Sequence, residues 1–152
     1  MQDMFIDLAK YRIQRAIESK ADAVLLLKAD NLTETANRVY QANYYAVKSL
    51  LATRMKDSTK HQRVLNMFQE LFVQTGDVPN EYGLIVDRSY HTRDEGDRPD
   101  QFQVNREDAA RMIGESERFI CFVREYLKQL IMANPRKGGD PMEGVDECKE
   151  EH

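Results

Sequence analysis

The stretch from Asn37 to Arg54, NRVYQANYYAVKSLLATR, limits the fold of this chain more than any other part of it. Val39, Tyr40, Tyr44, Val47, Leu50 and Leu51 recur at three- and four-residue steps, the spacing that stacks side chains on one face of a helix. The opposite face carries Ala42, Ser49 and Ala52, which leave it low enough for a neighbouring helix to approach closely. A helix that can pack on both faces belongs in the middle of a bundle.

The flanking sequence supplies partners for it. Ile6, Ala9, Ile13, Ile17, Val24 and Leu27 form a stripe that predicts a first helix over 3–29, and Asp30 and Asn31 suit a break and a new N-cap. The central helix is expected over 32–56. Asp57, Ser58 and Thr59 offer capping chemistry for a third helix over 59–75, with Val64, Phe68, Leu71 and Phe72 inward and Gly76 as its C′ residue. Pro79 suits the first turn of a fourth helix, which carries Tyr82, Ile85, Val86 and Ser89 on one face and ends at Gly96 and Pro99. Asn105 with Asp108 resembles a capping box, and Val104 and Ala109 are placed as a hydrophobic staple, for a fifth helix running to Asn134-Pro135. The expected fold is therefore all-α, an antiparallel up-and-down bundle of about five helices.

Composition narrows the domain organisation. With 152 residues and 41% hydrophobic content, the chain suits one domain with a real core. From Asn134 onward the sequence turns to charge, Gly and Pro, with three basic and six acidic residues. The reading is a bundle over 1–133 and a disordered acidic tail over 134–152. That tail holds a net charge of −3 out of the chain's −4, so the body is nearly neutral and lacks the broad basic face on which long nucleic acids are held. No basic start precedes an apolar run and the longest apolar block is Ala23 to Leu27, so neither a signal peptide nor a membrane span is expected. Two cysteines, Cys121 in a helical pattern and Cys148 in the tail, are read as free thiols in a reducing, cytoplasmic compartment.

Few chemical motifs are present. There is no phosphate-binding glycine loop, no zinc spacing of Cys and His, no HExxH and no nucleophile elbow, and the acidic run through Asp94, Glu95, Asp97 and Asp100 lacks the alternation of a calcium loop. No metal or cofactor is expected. Arg93 continues the face of Tyr82, Ile85, Val86 and Ser89, where a guanidinium must be paired or face a cleft. Asp97, one turn on, offers a structural partner; the functional alternative is a planar, permanently charged fork gripping a phosphate. His61 lies in the first turn of its helix, where the dipole disfavours imidazolium and leaves a neutral ring able to take a proton. Tyr44 is assigned to the Val47–Leu51 face and Tyr45 to the Arg38–Lys48 side.

At these residues a family resemblance emerges. ANRVYQANYYAVKSLL, TKHQRVLNMFQELFVQTG, SYHTRDEGD and the EDAARMIGESERFICFVREYL helix, in this order and spacing, resemble the HEPN superfamily (higher eukaryotes and prokaryotes nucleotide-binding), in its small stand-alone prokaryotic branch. The resemblance spans about 11–130. It implies a helical bundle, commonly a homodimer, whose interfacial cleft handles RNA or nucleotides, and a neighbouring nucleotidyltransferase-type antitoxin. Many members are metal-independent ribonucleases carrying an Arg, four to six residues, then a His. Arg93 matches that arginine and Asp94 the polar residue after it, but Asp97 and Arg98 occupy the stretch where the histidine would stand.

Three functions are thereby set against one another. The favoured one is a nucleotide- or RNA-associated binding and dimerisation module of a prokaryotic toxin-antitoxin-like or defence system, with Arg93, Asp94, Asp97 and Tyr44 as ligand-binding residues. The second is a metal-independent endoribonuclease toxin in which Arg93 works with His61, or with His91, in place of the motif histidine. The third is a purely structural helical subunit, in which Arg93 matters for stability alone.

Overall fold

The computed structural model of the chain describes residues 2–96 and 104–133. Five helices follow one another: α1 (Gln2–Lys28), α2 (Leu32–Ala52), α3 (His61–Phe68), α4 (Asn80–Gly96) and α5 (Arg106–Ala133), with a π-helical segment, Gln69–Val73, continuing α3. No strand occurs among the described residues. The expected all-α bundle is what forms.

α2 is the central element, packed against α1, α3, α4 and α5. Its low face does what small residues allow: Ala42, Ser49 and Ala52 are buried, and Ser49 Oγ donates to the Ala9 carbonyl of α1 at 2.7 Å. That bond requires the two backbones to lie close together. The opposite stripe, with Val47, Leu50 and Leu51, closes on Phe68, Phe72, Phe119 and Leu127 from the other helices. A smaller cluster at the α1–α2 turn end joins Ala23, Ala36 and Val39 to Val104, Ala109 and Met112.

Helix ends follow local chemistry in most places. Asn31 accepts from the Glu34 backbone N–H, Asn105 accepts from that of Asp108 at 2.8 Å, and Gly76 takes a φ of 85° after the π segment. The start of α3 differs from expectation. Lys60, not a residue of the Asp57–Thr59 group, is its N-cap, and no side chain caps it. Asp57 is committed elsewhere: it accepts from Arg12 at 2.9 Å and pairs with Lys48 at 3.2 Å. The third helix is also not uniform, because its second half widens into a π turn closed by the Gln74 N–H on the Gln69 carbonyl. There Gly83 of α4 lies against Val73, where an added Cβ would stand 3.1 Å from a Val73 methyl.

Cys121 sits half-buried at the edge of the α5 stripe and is disulfide-bonded, which corrects the expectation of a free thiol at that position. Cys148, and the acidic tail over 134–152, lie outside the described residues. Among the described residues no helix is long and apolar enough to cross a membrane.

Candidate functional site: an aromatic ribbon at the α2–α3–α4 junction

The loop after α2 decides where α3 begins. Met55 takes a positive φ of 57°, and Asp57 two residues later is tied to α1 by Arg12 and to α2 by Lys48. Arg12 is 8% exposed and also donates to the Lys48 carbonyl, so the guanidinium is a buried clamp with its partners in place. Burial alone would raise the Asp57 carboxyl, but hydrogen bonds from Arg12, Lys48 and the Ser58 N–H prevail and hold it below the usual carboxylate range. This pinned loop delivers His61 to the side of α2.

His61 meets two tyrosines there. Its ring lies face to face with Tyr44, centroids 4.1 Å apart and planes within 8°, while Nδ1 is 2.7 Å from the Tyr40 hydroxyl. Tyr40 is buried and Tyr44 half-buried, whereas His61 is exposed. Val64 and Phe68, further along the same helix, are buried in the core, whereas the histidine in its first turn stands at the rim. Lys48 Nζ sits 5.7 Å from the centre of the Tyr44 ring, and Arg15 of α1 covers Tyr45 at 5.5 Å. Burial, then the Asp57 charge, raise the Tyr44 phenol above its ordinary value.

The ring contacts continue onto α4. Tyr40 touches Tyr90 at 5.8 Å, and Tyr90 meets His91 edge-on at 5.6 Å. Tyr44, His61, Tyr40, Tyr90 and His91 therefore form a ribbon of rings across three helices, with a histidine exposed near each end. Arg93 and Asp94 fall in the last turn of α4, one turn beyond Tyr90, and Asp97 lies outside the described residues, as does the expected Arg93–Asp97 pair. The structure thus brings His61 and Tyr44 into direct contact and sets the Arg93 turn next to the ribbon's α4 end. Such a surface offers π-faces for stacking and imidazoles for moving protons.

Beside the His91 end opens a cleft of about 200 Å³ between α2, α4 and α5, with Asn43 and Ser89 among the residues lining it. Sequence reasoning missed Asn43. Its signal was available: an amide one turn from Val39 and one turn from Val47 on an otherwise apolar stripe, where it is fully buried. Sequence reasoning also missed the Arg12–Asp57 clamp, which joins residues 45 apart and leaves no local signature. Among the described residues no three metal-ligating side chains cluster.

Comparison with known proteins agrees with the fold. The profile of the HEPN domain matches residues 9–126. A protein of Thermotoga maritima named UPF0332 protein is 32% identical over 126 residues, covering 83% of this chain and 96% of its own. Two proteins of Methanocaldococcus jannaschii, each named "Putative toxin", are 29% and 26% identical, over 78% and 83% of this chain and 88% and 84% of their own. The chain belongs to the HEPN domain family.

Proposed function

We propose that the chain is the toxin-type component of a toxin-antitoxin-like pair, and that it engages RNA or a nucleotide along the aromatic ribbon with Arg93 supplying the phosphate contact. The carrying observation is the exposed His61 ring stacked on Tyr44 and bonded to the Tyr40 hydroxyl, one end of a ribbon that runs to the helix turn of Arg93. Stacking rings beside a cation suit a single strand or a nucleotide, because every base has a π-face and every link a phosphate. Two relatives bear the name of toxin, which supports the biological class. In this reading Tyr44, Arg93, Asp94 and Asp97 are the ligand-binding residues, and the protein acts in the cytoplasm as a homodimer alongside a nucleotidyltransferase-type partner. The bundle over 1–133 carries the binding.

One observation favours a second reading, metal-independent RNA cleavage. The Tyr40 hydroxyl lies against His61 Nδ1: where the hydroxyl donates, Nε2 keeps the ring proton, and where Nδ1 donates, Nε2 is left as a base that can accept one. A ring so oriented has the chemistry to exchange a proton with a ribose 2′-hydroxyl or a leaving oxygen, with Arg93 on the phosphate. RNA titration and RNA incubation with metal chelated distinguish the two. Binding without cleavage supports the module; cleavage lost in both Arg93→Ala and His61→Ala supports the toxin nuclease. A structural subunit would do neither.

A further inference from the structure

Cys121 carries a disulfide bond, and the chain has one other cysteine, Cys148. Within one molecule the bond therefore has a single possible partner, in the acidic segment beyond α5. Reach permits it. The chain from Ala133 to Cys148 spans about 50 Å when extended, and Cys121 lies only about 18 Å back along α5 from Ala133.

The surroundings of the two cysteines are opposite in charge. Helical spacing sets Glu117, Arg118, Arg124 and Glu125 one turn to either side of Cys121, with Lys128 two turns on. Glu117, Cys121, Arg124 and Lys128 are half-buried, and the stripe borders α1, because Lys20 of α1 bonds Glu117 at 3.2 Å. Four cations there meet two carboxylates, so the net charge around Cys121 is positive. Cys148 is flanked by Asp146, Glu147, Glu150 and Glu151, with Lys149 the one cation among them. A positive neighbourhood favours the thiolate of Cys121, the form that attacks a disulfide, and attracts the acidic segment that brings the second thiol.

We propose that Cys121 and Cys148 form a reversible disulfide, a redox-operated strap that holds the acidic segment against the α1–α5 face and releases it on reduction. The oxidant is a small-molecule disulfide. The Cys121 thiolate attacks one of its sulfurs, giving a mixed disulfide and one small thiol. The Cys148 thiolate then displaces the second small thiol and closes the protein bond. Two protein thiols are thereby oxidised while one small disulfide is reduced to two thiols, and reduction runs the same exchange backwards. In a reducing compartment such a bond is transient and acts as a sensor rather than a permanent staple. The strap goes beyond the function proposed above and uses none of the residues assigned to it.

The test is intact-mass analysis and peptide mapping of the full-length protein, equilibrated at set ratios of reduced to oxidised glutathione and then trapped by alkylation. The oxidised protein should be a monomer lighter than the reduced one by two hydrogen atoms, should yield a linked Cys121–Cys148 peptide pair, and should revert on reduction. Brief trypsin treatment, cutting after Arg136 or Lys137, should leave the final segment attached to the oxidised protein and free it from the reduced one. In Cys148→Ser, Cys121 should take up one glutathione and stay open. The double variant Arg124→Gln, Lys128→Gln should lower the closed fraction at a fixed ratio about threefold or more, as should high salt in the wild type. Because closure is read first in the wild-type protein, a variant that fails to fold does not remove the test. Two free thiols at every ratio, glutathione on both cysteines with no closed form, or a bond only between two copies of the chain would overturn the strap.

Discussion

His61 opens a helix that no side chain caps, so its position depends on α2 rather than on α3. Tyr44 covers one ring face and Tyr40 holds one ring nitrogen, and removing either loosens the histidine. Tyr44→Ala is expected to weaken RNA binding by about 1–3 kcal/mol, the range for one stacked base, with helical content by circular dichroism unchanged. Asp57 gives a prediction in pH. Its folded carboxyl lies below its ordinary value, so it contributes stability above the ordinary carboxylate range, and that contribution is lost as pH falls through the depressed value. Half its side chain is exposed, so the contribution is about 1 kcal/mol or less. Denaturant unfolding should show Asp57→Asn less stable than wild type at pH 7, with the difference shrinking towards pH 3. An unchanged gap across that range would remove the clamp from the account.

At the scale of elements, the helices were legible wherever apolar spacing and a local cap agreed. α2 could be read from its two faces, α5 from Asn105 and its long stripe, and the α1–α2 turn from Asp30 and Asn31. Two features were not legible because their causes are distant in sequence. The α3 start is set by Arg12 and Lys48 acting on Asp57, and the π segment lies against Gly83 of α4. For the candidate site, sequence pointed to His61 and Tyr44 separately; only the fold puts one ring on the other. Packing makes its own predictions. Phe119 is fully buried against Phe68 and Tyr82, so Phe119→Ala should cost about 3–5 kcal/mol in unfolding. Ser49→Ala, which loses the bond to Ala9 across the α1–α2 contact, should cost only about 1 kcal/mol.

For the whole molecule, four helices packed on α2 place the aromatic ribbon, the Arg93 turn and the cleft between α2, α4 and α5 around the same end of α4. The rings of the ribbon, the Arg93 turn and the residues lining the cleft all precede Ala133 in the chain. A chain ending there should unfold at the same midpoint as the full chain under reducing conditions, followed by circular dichroism; a large drop would mean that the tail belongs to the fold. The central claim is that the ribbon and Arg93 together engage RNA. The most direct measurement is RNA binding and cleavage with metal chelated, comparing wild type with Arg93→Ala and His61→Ala at matched helicity. The account expects binding by the wild type and its loss in Arg93→Ala, with His61→Ala deciding whether that histidine also moves a proton. Arg93→Ala that lowers stability while RNA binding stays intact, or a folded wild type that binds no RNA or nucleotide, would contradict it.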